Sequence, residues 1–135
     1  MDEPALTSEE RALRDLLRAW TVLFASGALS FALTPDRTLR SLNALPGPAV
    51  PLGDERFWNA LAVSLMATLT ALCALAAEDV RGRRQLVVPI LVSKAVSSSM
   101  FLARFVRRPR TAYLAGAATD RSILALTLRR YLAAG

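Results

Sequence analysis

The sequence predicts an all-α fold, an integral membrane four-helix bundle with a short interfacial helix between the first and second spans. Three observations carry that expectation. Of the 135 residues, 53% are hydrophobic and only 21% charged, and a chain this short cannot bury that much apolar surface by folding alone. The charges are unevenly placed: residues 19–35 and 57–77 carry none, and residues 85–103 carry only Lys94. Each stretch approaches the roughly 20 apolar residues that a helix needs to cross a bilayer core, and proline, glycine and helix-cap signals mark the boundaries.

The elements follow in order. Thr7-Ser8-Glu9-Glu10 has capping-box spacing, with Thr7 as cap and Glu10 reaching back, so the first helix begins amphipathic at Ser8 and runs into a span of about residues 16–34. Trp20, Phe24, Gly27 and Phe31 recur along one of its faces, the pattern of packing on a neighbouring helix. Thr34-Pro35-Asp36 closes that span and opens a short helix of about residues 35–45, with proline at its first position and an acid beside it. Leu39, Leu42 and Leu45 lie on one side against Arg37 and Arg40, which suits the membrane surface. Pro46-Gly47-Pro48 and Pro51-Leu52-Gly53 make an irregular stretch, and Asp54 caps the second span, about residues 57–77. The polar members of that span are Asn59 near one end and small hydroxyl residues that bond back to the helix. A third span covers about residues 85–104, with Pro89 in its first turns, where a missing amide costs least. Trp20, Phe57, Trp58, Phe105, Tyr113 and Tyr131 fall near span ends, as an interfacial aromatic belt requires.

The fourth span, about residues 111–131, is the contested one, because Asp120 and Arg121 fall near its middle. Each central charge costs about 2.5–3.5 kcal/mol on insertion, whereas each Leu or Ile returns only about 0.3–0.6 kcal/mol. A partner for Asp120 offsets that cost, and the third span offers one. Lys94 lies as far before Arg104 as Asp120 lies after Arg110, about 15 Å of helix at about 1.5 Å per residue. A hairpin turning between these arginines brings the two side chains together near the bilayer midplane. Arg121 points about 100° away; it joins a wider network, reaches a lipid phosphate by snorkelling, or marks a fourth helix lying in the interface.

Charged residues inside a membrane mark ion pathways, proton relays or counter-charges; alternatively, the pair fixes helix register, since an intact buried pair specifies packing and a broken one is costly. Ser97 and Ser98, one turn from Lys94, complete the expected polar network of Lys94, Asp120, Arg121, Ser97 and Ser98. Small residues supply close-packing ridges, Ala60, Ser64 and Thr68 with Ala67 and Ala71 in the second span, Ser93 and Ser97 in the third, Ala112, Gly116 and Asp120 in the fourth.

Composition excludes much chemistry. Without histidine and with Cys73 as the lone cysteine, there is no haem imidazole, zinc-histidine site, histidine base, internal disulfide or Cys-x-x-Cys pair, and no cofactor or metal is expected. No phosphate-binding loop or Gly-x-Ser-x-Gly elbow is present, and no catalytic carboxylate pair is read within one helix, so no enzyme is expected; a Ser97 or Ser98 nucleophile activated by Lys94 is a minor alternative. The net charge of +6 does not point to nucleic acid, because the arginines bracket apolar spans and no nucleic-acid motif accompanies them. Arg107, Arg108 and Arg110 form the sharpest basic run. It reads as lipid-headgroup contact, with anionic lipid or an acidic partner surface, or as an ordinary basic turn. The acidic Met1-Asp2-Glu3-Pro4 lacks the basic n-region of a secretory signal, so the first span is expected to be retained. No repeat or linker appears, so residues 1–135 read as one transmembrane domain. The basic residues divide almost evenly between the two sides and leave orientation open.

Gly27 in the first span, Pro35 at its exit, the long polar connection to Phe57-Trp58 and a third span bearing Lys94 form a layout that resembles the small four-helix DoxX-like bacterial membrane proteins. Asp120-Arg121 departs from that layout. The resemblance implies a non-catalytic membrane subunit, loosely tied to respiratory quinol-oxidase accessory subunits. The expectation is a multi-pass accessory or scaffold protein of a bacterial inner membrane, organised by a Lys94–Asp120 pair, in contact with the lipid bilayer and with a membrane protein partner or further copies of itself. The alternatives are a small transporter or proton relay using the intramembrane charges, and a membrane-embedded enzyme acting on lipid or quinone.

Overall fold

The computed structural model describes residues 5–48 and 55–135, without the side chains of Leu39, Leu42, Glu55, Arg56 and Phe57. The Met1-Asp2-Glu3-Pro4 segment, Pro51-Leu52-Gly53 and the expected Asp54 cap lie outside these residues, as do the Leu39 and Leu42 faces of the short helix and the Phe57 member of the aromatic belt. The described chain is helical: α1 (Ser8–Leu33), α2 (Pro35–Asn43), α3 (Glu55–Glu78), α4 (Val87–Arg107, led in by a 3₁₀ turn at Arg84–Leu86) and α5 (Thr111–Ala133).

Local chemistry explains the ends. The Thr7 hydroxyl accepts from the Glu10 amide at 3.2 Å while the Glu10 carboxylate accepts from the Thr7 amide at 2.7 Å, closing the capping box of α1. Pro35 opens α2 at the position where its missing amide is not needed. After α2 the chain turns at Gly47, whose φ of 119° only glycine adopts without strain, and the Thr111 hydroxyl at the start of α5 donates to the Pro46 carbonyl. Arg104 and Arg107 lie in the last turn of α4, where cations complement the helix dipole.

Three helices are long and apolar enough to cross a membrane, spanning Ser8–Leu33, Trp58–Glu78 and Arg84–Arg107. Helix α5 is long enough at 23 residues, but Asp120 and Arg121 interrupt its apolar run, and it is not one of the three.

Helix α1 packs mainly along α3, and α4 along α5; α1 meets α5, and α3 meets α4, over shorter lengths. The core gathers Leu13, Leu17 and Phe24 of α1, Leu69, Cys73 and Ala76 of α3, Val87 and Ile90 of α4, and Ile123 of α5. It sits toward the end where α1 begins and α3 finishes. Elsewhere large apolar side chains face outward, among them Leu33 (75% exposed), Val106 (75%) and Leu132 (66%). So many exposed large apolar side chains suit contact with membrane or protein rather than with water.

The ridges of small residues divide. Gly116 of α5 lies against the Phe101 ring and Gly27 of α1 against Met66, each approach close enough that a Cβ would crowd the neighbour. Ala60, Ser64, Ala67, Thr68 and Ala71 of α3 are exposed instead. The side of α3 turned to the core carries Leu69, Cys73 and Ala76. Because α3 is apolar on every face, its sequence pattern does not say which face turns inward.

Charged side chains tie the helix ends together. The Arg81 guanidinium, between α3 and α4, grips Glu10 of α1 through Nε at 2.6 Å and Nη2 at 2.8 Å, and Nη2 also donates to the Ala5 carbonyl at 3.1 Å. Arg130 of α5 reaches Glu9 at 3.3 Å. Arg84 donates to the Tyr131 carbonyl and lies 4.4 Å from the centre of the Tyr131 ring. Glu10, in the charged first turn ahead of the apolar run of α1, has its carboxyl held down at about 2, first by the Arg81 hydrogen bond and then by the Thr7 amide.

Candidate functional site

Helix α4 buries Val87, Ile90, Lys94 and Ser98 along one face, so its lysine sits in an inward apolar row. Helix α5 buries Ala117, Ile123 and Thr127, and Asp120 falls within the same row. Lys94 Nζ donates to Asp120 Oδ1 at 2.9 Å, with the two side chains only 11% and 13% exposed. The Ser97 hydroxyl donates to the other carboxylate oxygen, Oδ2. Both oxygens of the acid are therefore engaged.

Helix α1 completes the cluster. The Phe24 ring centre lies 4.8 Å from Lys94 Nζ, within reach of a cation–π attraction. One turn earlier, the Trp20 indole N–H donates to the Thr127 hydroxyl at 2.9 Å, and Thr127 is fully buried. These contacts join α1 to the α4–α5 pair where their packing is otherwise narrow. A buried ion pair whose carboxylate has both oxygens engaged holds its helices in one rotation, because any other rotation strands a charge in a low-dielectric interior.

The structure thus brings together Lys94, Asp120 and Ser97, and leaves out the other two residues of the expected network. Ser98 is buried on the inward row of α4 but donates to the Ala95 carbonyl at 3.2 Å, within its own helix. Arg121 is exposed on the far side of α5 and makes no ion pair among the described residues. Arg107 and Arg108 are exposed at the end of α4, and Arg110, half-buried, caps α5 through its carbonyl, which accepts from the Tyr113 amide at 3.0 Å.

The sequence pattern does not single out Thr127 or the clamp of Glu10 on Arg81. The pattern sets Trp20 and Phe24 together on one packing face of α1, and the structure supplies their partners, Thr127 and Lys94. The signal for Thr127 in the sequence is its place two helical turns after Asp120, on the same face of α5.

Among the described residues no three of Cys, Asp or Glu gather as a metal site would require. A cleft of about 520 Å³ opens at the charged end between Arg14, Arg18, Glu78, Asp79 and Arg81, away from the ion pair. Its charges are largely answered locally: Glu78 by Arg83 at 2.9 Å, Asp79 by the Gly82 amide at 2.8 Å, Arg14 by Asp15 at 3.2 Å. The chain matches no protein-family model, no curated protein and no solved structure.

Proposed function

We propose that this chain is a four-span accessory or scaffold subunit of a bacterial inner membrane, whose Lys94–Asp120 pair locks α4 against α5. The observation that supports this reading is the complete engagement of Asp120, by Lys94 and by Ser97, in a site closed by Phe24. A carboxylate whose two oxygens are both occupied by groups of its own bundle is built to hold helices in place. The pairing also offsets the cost of carrying Asp120 into hydrocarbon, so α5 inserts with α4 as a hairpin although it lacks the apolarity to insert alone.

Two measurements test the reading. Cysteines introduced at Gly47 and Ala134 should react with membrane-impermeant reagents from opposite sides, since α3, α4 and α5 separate them by three crossings; labelling of both from one side puts α5 in the interface. Exchanging the charges, Lys94→Asp with Asp120→Lys, should keep the protein folded and its co-purifying partners bound. Loss of an ion or proton flux in a variant that keeps fold and partners would favour the transport alternative.

A further inference from the structure

The outward face of α5 has a regular pattern of its own. Leu114, Ala118, Arg121, Ala125, Leu128 and Leu132 recur at alternating steps of four and three, and all six are exposed. Alternating steps of four and three generate a straight seam along a helix, the pattern by which one helix packs knobs-into-holes on another. Among the described residues none covers this seam, and its central position is a cation. Arg121 lies one residue from the midpoint of α5 (Thr111–Ala133), the depth at which a charge is most costly in a bilayer. Ala118 and Ala125, one turn to either side, let a second backbone approach the guanidinium closely.

We propose that this seam docks a transmembrane helix of a different membrane protein, one that carries an Asp or Glu opposite Arg121. The proposal rests on the four-span reading and names the partner's chemistry. A planar guanidinium matches a carboxylate through two parallel hydrogen bonds, and a single charged position within a heptad seam sets register and partner choice. A second copy of this chain is the wrong occupant. Paired seam to seam it would set Arg121 against Arg121, and the one acid in the middle of α5, Asp120, already has both oxygens engaged.

The test uses the full-length protein in lipid vesicles with fluorescently labelled oligo-leucine transmembrane peptides bearing Asp, Asn or Leu at the centre. By energy transfer, the Asp peptide should associate about tenfold more tightly than the Leu peptide. Arg121→Leu should abolish the difference and Arg121→Lys should retain part of it, with far-UV circular dichroism showing both variants folded; Arg121 makes no ion pair among the described residues that its loss would break. Equal binding of all three peptides to wild-type protein overturns the proposal while leaving four spans intact. Efficient disulfide crosslinking of two Ala125→Cys copies in native membranes would also overturn it, since the seam would then pair with itself. Same-side labelling at Gly47 and Ala134 removes the four-span reading instead, which separates the two failures.

Discussion

Replacing Asp120 by Asn removes one charge and almost no volume, so it isolates what the counter-ion contributes. The single amide oxygen can accept from Lys94 or from Ser97, but the ammonium loses its counter-charge and keeps the Phe24 ring at 4.8 Å, worth about 0.5–2 kcal/mol. A solvent-exposed pair would cost about 0–1 kcal/mol to break. With side chains 11% and 13% exposed, the buried regime applies, and the expected loss is about 3–5 kcal/mol. The double variant Lys94→Met, Asp120→Leu strands no charge and should be neutral or more stable by about 1–4 kcal/mol. In the cycle of Lys94→Met, Asp120→Leu and the double variant, each single change strands a charge that the double removes, so the coupling should exceed about 2 kcal/mol. Reversible unfolding in mixed micelles by sodium dodecyl sulfate, followed by circular dichroism, reads all four corners. A loss below about 1 kcal/mol for Asp120→Asn, or a double variant as unstable as the single one, would refute the argument.

Three further outcomes follow from other contacts. The Glu10 carboxyl is lowered from 4.5 to about 2 by Arg81; because the folded value lies below the unfolded one, its contribution is complete above pH 4.5 and lost as pH falls toward 2. Arg81→Gln should flatten the acid limb of a stability profile in that window, and an unchanged limb would count against the clamp. Trp20→Phe should cost about 1 kcal/mol in the same unfolding assay, because Thr127 is left buried without its donor; Trp20→Phe in a Thr127→Val background should cost clearly less. Gly116→Ala should change stability by less than about 1 kcal/mol, since the Phe101 ring it approaches is 37% exposed and can shift, whereas Gly116→Leu should cost about 1–3 kcal/mol.

Much of the local architecture is legible in the residues themselves. Charge-free stretches locate the helices, because a run of apolar residues without breakers has few other stable conformations. Thr7 and Glu10 mark the start of α1, because a capping box is a contact across three residues. Even the meeting of Lys94 and Asp120, on neighbouring helices, can be read from their equal distances to the Arg104–Arg110 turn. A hairpin converts sequence distance into depth at a constant rise per residue.

The tertiary structure decided everything that depends on how non-adjacent helices rotate and which of them touch. It turned Leu69, Cys73 and Ala76 of α3 toward the core and left Ala60, Ser64 and Thr68 outside, a choice that an all-apolar helix does not encode. Ser97 was set on Asp120 and Ser98 on its own helix, although both lie one turn from Lys94. Glu10 became a clamp on Arg81 as well as a cap, and Phe24 and Trp20 met Lys94 and Thr127 across the bundle. The composition of 53% hydrophobic and 21% charged residues determined that these helices seek an apolar environment. Packing determined that Lys94 and Asp120 face each other inside the bundle while Arg121 faces outward. Hydrophobicity is non-directional and can be read from residue type, whereas an ion pair has a direction that exists only once the helices are placed.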